Sequence, residues 1–599
     1  MAKVTLKLKR APSVPVFAEQ LTPENLAGKK EDEIAEVPLL EGAVKTSLGE
    51  LFEVEVSEVS SNPEDLEVQI LGDLSRFRYV GRGMKTGSIT IEGGGGFYVG
   101  EEMAGGSITV KGDVLGWAGS AMKGGLLEVF GYGGDYLAAP YRGETVGMKG
   151  GRINIHGDVG VNAGLRMAGG AIHIEGSAGE FLGHGMLGGE ILVQGDCGLR
   201  LGAEMKGGRI VVLGKIAGLM PSFTYSEIRE KAKFAGGKLK QAFYVYTGDV
   251  VEKGSGKLFL ARCLNKHLNP EGEVFPDPSV SVNLQAASIA EEIAGNSEAY
   301  GAKVQKTAGA TVIDLGVNVK PSGKAGEAAT RICLGGMAEI TVEEKDLGEG
   351  LRLPVLREKI TGHPALATLG SQFAGWAINV EGYFAMGSGP ARALSLQPKR
   401  IYEKLCYRDT ADKAVLFVEA DSLPTEQAVK YIAESCGVKP ESLYLVVAST
   451  SSPVGSYQIA GRVVETGIHK LSEVGFLPNK IVAGWGSAPI APVHPESEVA
   501  MGITNDMILY GGEVYLEVEC GSDDEIVDAL EVAPSSASRD YGKPFYEIFV
   551  EAGKDFYKID PGLFAPAKIT ITSRRTGKTY TAGYVNPEIL KRSIALIPK

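Results

Sequence analysis

The chain has 599 residues, more than one hydrophobic core organises, so several domains are expected. Its hydrophobic fraction of 44% contains no apolar run near the ~20 residues of a bilayer-spanning helix, so no such helix is expected. A net charge of −13 with no basic stripe argues against nucleic-acid binding.

The start, MAKVTLKLKRAPSV, is basic but lacks an apolar stretch, so no signal peptide is expected. Cys197, Cys263, Cys333, Cys406, Cys436 and Cys520 stand apart with no C-x-x-C pair. That argues against an iron–sulfur or zinc cage and for a reducing, cytoplasmic setting. The seven histidines include no H-E-x-x-H, and the chain is expected to bind no metal.

Glycine pairs stand at 105–106, 124–125, 150–151, 169–170, 188–189 and 207–208, stepping by 19, 26, 19, 19 and 19 residues. Met84, Met103, Met122, Met148, Met167, Met186 and Met205 keep the same beat. Each unit reads approximately I-x-[IV]-x-G-x-x-G-x-x-[AVL]-G-x-x-M-x-G-G, as in IHIEGSAGEFLGHGMLGGE (172–190). The alternation Ile172-His173-Ile174 predicts a short strand with two side chains inward. The glycines supply positive φ at sharp turns, and the methionine fills the interior with a pliable side chain. One such unit cannot bury its own apolar face, so the units are expected to stack as a parallel β-helix solenoid over 81–220. A flexible glycine-rich linker would lack the in-phase Ile and Met. Residues 1–80 and 221–270 would cap the two ends, and the aromatic insertion YGGDYLAAPYRGE (132–144) would emerge as a loop. His156, His173 and Glu175 fall at outward strand slots and read as surface decoration.

This pattern, with LAGKKEDEI (27–35), MPSFTY (220–225) and AFYVYTGD (242–249), resembles the GXGXG-type β-helical component of formylmethanofuran dehydrogenase over about residues 1–270. More distantly it is similar to the last domain of glutamate synthase. The resemblance implies a right-handed GXGXG β-helix that is a non-catalytic scaffold. Its implied partners are an amidohydrolase-type subunit and a molybdenum or tungsten subunit, with molybdopterin or tungstopterin and metals in those partners. A related scaffold serves the bacterial formyltransferase/hydrolase complex.

NPEGEVFPDPSV (269–280), with three prolines, reads as an extended, semi-rigid linker, placed at 271–280. From Ser281 the texture becomes α/β. TVIDLGV (311–317), AVLFVEA (414–420), LYLVVAS (443–449) and VYLEVEC (514–520) predict strands. Leu423-Pro424-Thr425-Glu426 opens a helix with Ala428, Ile432 and Ala433 on one side.

At helical spacing, QIAGRVVETGIHKLSEV (458–474) has an apolar stripe of Ala460, Val464, Ile468 and Leu471. A polar stripe holds Gln458, Arg462, Glu465 and His469. From spacing alone, Arg462 and Glu465 make an exposed i,i+3 pair worth about 0.2–0.5 kcal/mol.

Six segments give that pair another meaning. GYFAMGSGPARALSLQPKRIYEKL (382–405), SPVGSYQIAGRVVETGI (452–468), AMGITNDMILYGG (500–512), SRDYGKPFYEIF (538–549), DFYKIDPGLFAPA (555–567) and TGKTYTAGYVN (576–586) occur in that order. Over 281–599 the chain resembles methenyltetrahydromethanopterin cyclohydrolase. The resemblance implies two α/β portions around a pterin cleft, a homotrimer, and no metal or prosthetic group. It implies reversible hydration of a cationic methenyl bridge of a tetrahydromethanopterin to an N5-formyl group, with Arg462 and Glu465 catalytic. A turn such as GSGPAR (387–392) either contacts an anion through Gly387, Ser388, Gly389 and Arg392 or joins a strand to a helix. Gly455, Ser456, Asn505, Asp506, Lys543 and Asp560 sit in the resembling segments and are candidates to line the cleft. Two departures stand out: Gly362-His363-Pro364 lacks the acid that commonly precedes this histidine, and Ser449-Thr450-Ser451-Ser452-Pro453 replaces Pro-Thr-Ala-Ser-Ile.

Three readings follow: a cyclohydrolase tethered to the dehydrogenase scaffold in an archaeal one-carbon (methanogenic) pathway, a purely structural assembly subunit with an inactive cyclohydrolase domain, or a member of a bacterial formyltransferase/hydrolase complex.

Overall fold

The computed structural model describes residues 2–596, and the chain divides into two compact units, Met1–Leu268 and Asn269–Lys599.

The first unit is organised by one thirteen-stranded sheet. Ser88–Ile91, Ala104–Val110, Gly124–Val129, Arg152–Ile155, Ala171–Ile174, Glu190–Val193 and Arg209–Val212 lie side by side in chain order, all parallel. Like pairs with like across the rungs: Ile153 faces Ile172, Ile172 faces Ile191, and Ile191 faces Ile210. Single parallel bridges linking Val159, Ala178, Cys197 and Ile216 repeat the same step.

The glycine pair has a different cause at each position. A Cβ on Gly169 would lie 2.3 Å from the carbonyl oxygen of Lys149, so the first glycine is required by close approach to the preceding rung. Gly170 has φ +85°, a conformation that strains residues with a side chain, and Met148 of the preceding rung packs against it. All seven periodic methionines are buried.

The parallel run extends beyond 81–220. Leu66–Leu71 pairs parallel with Ser88–Ile91, and Gly256–Ala261 pairs parallel with Arg209–Val212. These strands lack the glycine pair but bury alternate apolar residues such as Val68, Ile70, Leu258 and Leu260. Antiparallel strands then finish each end, Phe52–Val56 on Ala2–Leu8 and Thr224–Arg229 on Phe243–Gly248. On the outer face, His156 bonds to Glu128 and Glu175, and His173 to Gln194.

The second unit contains two six-stranded sheets. One runs Lys303–Thr307, Ala310–Asp314, Leu443–Ala448, Ala414–Glu419, Tyr383–Ser388 and Trp376–Val380, with a parallel centre of three strands. The other runs Ala338–Asp346, Arg352–Ile360, Ile481–Pro489, Glu513–Val518, Lys568–Ser573 and Thr579–Gly583. The four expected strands are all present. The helix Glu426–Cys436 starts as expected: Thr425 accepts a hydrogen bond from the Ala428 N–H and caps it.

The expected linker behaves differently. Residues 269–280 are hydrogen-bonded onto the rest of the second unit instead of spanning free. Val274 N–H donates to the Asn479 carbonyl (2.8 Å), and the buried Lys480 ammonium pairs with Glu271 (3.0 Å) and Glu525 (2.7 Å). A buried cation needs counter-charge, and the acid-rich segment supplies part of it. The His363 ring, which lacks a preceding acid, meets the Val274 carbonyl instead. Among the described residues no helix is long and apolar enough to cross a membrane.

Candidate functional site

Glu419 ends the strand Ala414–Glu419, and Thr450 follows its parallel neighbour Leu443–Ala448. Both therefore sit at carboxyl ends of parallel strands, where open α/β sheets present ligand sites. The Thr450 hydroxyl donates to Glu419. The chain next forms the helix Pro453–Ala460, breaks, and resumes as Val463–Glu473. One helix was expected here. The break falls at Gly461, which packs so tightly that a Cβ would lie 2.3 Å from Thr330 Cγ2. Arg462 occupies the break with φ −94° and ψ 7°, immediately before the second helix.

Both guanidinium bonds of Arg462 go to one oxygen of Glu465: Nε at 3.0 Å and Nη2 at 2.8 Å from Oε2. The side chains are 18% and 4% exposed, so the pair is interior and the exposed-pair reading does not hold. Burial works against the Arg462 charge, yet the charge and hydrogen bond of Glu465, with a further contribution from Glu419, hold the guanidinium above its ordinary pKa.

The pair faces a cleft of about 320 Å³, within the range of about 300–1,000 Å³ typical of small-molecule sites. Phe373 stacks on the His469 ring at 4.9 Å, forming one wall. Met501, Asn505 and Ile508 come from the helix Ser497–Leu509, and Phe564 comes from a later loop. Carboxylate and guanidinium groups thus converge in a hollow with apolar walls.

Of the other expected site residues, the structure brings only Asn505 to this cleft. Arg392 is corrected: it is fully buried and donates to the carbonyls of Gln397 (2.8 Å), Ser371 (2.8 Å) and Leu369 (3.2 Å), so it has no reach to an anion. Gly387 pairs with Trp376 of the neighbouring strand, the Ser388 hydroxyl donates to the Gln372 carbonyl, and Gly389 N–H donates to the Ser371 carbonyl. The turn is a structural brace. Gly455 and Ser456 lie inside the helix Pro453–Ala460, where Gly455 N–H donates to the Ser452 hydroxyl. Lys543 is exposed and pairs with Glu551 at 2.7 Å. Asp560 accepts from Gly562 N–H in its own loop and from the Ser538 hydroxyl of an earlier one.

Asp506 points the other way from its neighbour Asn505 and is fully buried, accepting from Phe545 N–H (2.8 Å) and the Ser593 hydroxyl (2.6 Å). Burial lifts its pKa to about 7, against ~3.9 in an unfolded chain. The native state therefore holds this proton more tightly, and its contribution to stability falls as pH rises from about 4 to about 7. Asp506→Asn is expected to flatten that slope. Urea unfolding midpoints at several pH values measure it, and a variant with the wild-type slope would refute the assignment.

Sequence reasoning missed Glu419, Thr450, Phe373 and Phe564. Glu419 carried a usable signal, an acid closing a predicted parallel strand; Phe373 and Phe564 carried none.

The family described as Cyclohydrolase (MCH) matches residues 281–594. The chain is 50% identical over 319 residues to the methenyltetrahydromethanopterin cyclohydrolase of Methanococcoides burtonii, covering 53% of this chain and 99% of that protein. It is 51% identical over 320 residues to the enzyme of that name from Methanothermobacter thermautotrophicus, covering 53% and 100%. Among solved structures, it is similar to a chain of the formyltransferase/hydrolase complex from Methylorubrum extorquens in complex with methylofuran. That match has 27% identity and a TM-score of 0.39, covering 43% of this chain and 99% of the other.

Proposed function

Because this chain belongs to the Cyclohydrolase (MCH) family through residues 281–594, we propose that its second unit hydrolyses 5,10-methenyltetrahydromethanopterin to the N5-formyl compound, reversibly. The observation that carries this reading is the buried Arg462–Glu465 pair facing the cleft.

In the substrate, one carbon joins two nitrogens that share a positive charge, so it is already electrophilic. The enzyme must place a water and receive its proton. Glu465 first offers its negative charge to the cation and then takes a proton from the attacking water. Arg462 orients Glu465 through its two hydrogen bonds and steadies the oxygen as it bonds to carbon. The second C–N bond then breaks, its nitrogen keeps one proton, and the other proton is released. Phe373, Ile459, Met501, Ile508 and Phe564 give the cleft apolar walls that strengthen these charge interactions. The test is the purified chain with methenyltetrahydromethanopterin: loss of the methenyl chromophore at a rate proportional to enzyme is expected, and a rate equal to buffer alone defeats the reading.

The first unit is read as a β-helical solenoid that acts as a scaffold. The in-register Ile ladder, the glycine contacts between rungs and the resembling sequence segments support this. Its proposed partners are the amidohydrolase-type and molybdenum or tungsten subunits of formylmethanofuran dehydrogenase, with the second unit as a trimerising enzyme. Purifying the native assembly and finding neither partner, by mass and by metal content, would refute that role.

A further inference from the structure

Arg462 sits in a break between two helices, and a break is the least self-supporting part of a helical segment. The helix Val463–Glu473 has no side-chain cap of its own, because Arg462 stands at the cap position with its side chain turned to Glu465. Its first backbone N–H groups therefore need partners from elsewhere.

Two buried side chains from other elements meet the backbone on either side of Arg462. Gln372 Nε2 donates to the Gly461 carbonyl at 2.6 Å. Val464 N–H donates to Glu358 Oε1 at 2.9 Å. We propose that Glu358 and Gln372 are positioning residues that clamp this break and so fix the mutual geometry of Arg462 and Glu465. The inference rests on the catalytic assignment of that pair.

Three further features support it. Both residues are fully buried, and each retains one oxygen, Glu358 Oε2 and Gln372 Oε1, without a hydrogen-bond partner among the described residues. A buried unpaired polar atom costs about 1–3 kcal/mol, which a leucine at either place would avoid. The polar groups thus make sense through the single bond each gives to the break. Gln372 also closes a π-helical turn, Leu366–Gln372, a distortion often found next to functional sites. That turn is braced by the 387–392 segment through Ser388, Gly389 and Arg392, which gives the glycine-rich motif a part in the site without contact to substrate.

Glu358 must also be compatible with a catalytic carboxylate nearby. Its cross-strand neighbours Ile340 and Gly486 carry no charge, and the charged group that acts on it is Glu465 of the helix it caps. Burial, with that neighbouring charge, pushes the Glu358 carboxyl up to about 8. At neutral pH it is a protonated acid whose carbonyl oxygen accepts from Val464 and does not repel Glu465. Above that pH it ionises, and a buried anion is then placed under the catalytic pair.

The test compares the full chain with Glu358→Gln, Glu358→Leu and Gln372→Leu. Both leucine variants should lose kcat by on the order of 10²-fold, with KM within about threefold, because the substrate contacts remain. Glu358→Gln keeps a neutral acceptor, so it should hold wild-type kcat at pH 7 and move the alkaline fall in kcat upward. Hydrogen exchange of the amides at 463–466 should quicken in Glu358→Leu and not in Glu358→Gln, whatever the reaction catalysed. A folded Glu358→Leu with wild-type kcat and exchange overturns the proposal. If that variant does not fold, a Glu358→Gln pH profile identical to wild type overturns it. An inactive wild type would instead refute the catalytic reading, leaving the exchange experiment to judge the clamp.

Discussion

Glu465→Gln is expected to lower kcat by about 10²–10⁴-fold, the usual value of a positioned general base, while binding of the methenyl pterin survives. The substitution keeps the size of the side chain and an oxygen for the Arg462 contacts at 3.0 and 2.8 Å, so the cleft should keep its shape. What is lost is the negative charge and the site that receives the water proton. Part of the affinity for a cationic substrate will fall with the charge, but the apolar wall of Phe373, Ile459 and Met501 is untouched. Stopped-flow turnover combined with equilibrium binding separates the two effects. A variant that turns over like wild type would remove Glu465 from the reaction. One that binds nothing would show the residue holding the cleft together.

The largest effect on stability is expected from Gly169→Val. A Cβ there would lie 2.3 Å from the Lys149 carbonyl oxygen, and because the conflict is at Cβ itself no choice of rotamer avoids it. The preceding rung cannot retreat, because Ala168 N–H bonds the Met148 carbonyl at 2.8 Å and Ala171 N–H bonds that of Gly151 at 3.0 Å. Relief therefore means opening ladder bonds and exposing Met148 and Ile172, both fully buried. A loss of about 4 kcal/mol or more is expected, in the range reserved for severe core or backbone conflict. Urea unfolding of the full chain measures it. A midpoint near wild type would mean that the rungs have more slack than the contacts allow.

The repeated parallel strands of the first unit were legible because their constraints are local and recur. A glycine that must touch the previous rung, and a methionine that must fill the next layer, leave a period visible in one sequence. The strands of the second unit were legible for a similar reason, since runs such as 414–419 and 443–448 are buried along nearly their whole length. The helix break was not legible. It falls at Gly461, where any Cβ would meet Thr330, distant in sequence, while the apolar stripe runs on through the break with Ala460, Val464 and Ile468 all buried. Arg392 misled for a related reason: a cation beside a glycine-rich turn suggests an anion, and only the fold supplies the carbonyls of Leu369, Ser371 and Gln397 that occupy it. Residues 269–280 have the composition of a spacer, and the buried Lys480 that captures Glu271 is invisible from the segment itself. Glu419, Phe373 and Phe564 meet Arg462 only because separate stretches of chain fold around one hollow.

The contact of Gly170 with Met148 recurs as Gly189 with Met167 and Gly208 with Met186. Each of these repeats therefore carries a socket for the repeat before it and a plug for the repeat after. Whole repeats can be added to or removed from such a run of parallel strands without inventing a new joint. The number of repeats is a quantity that selection is free to adjust independently of how any one repeat is built.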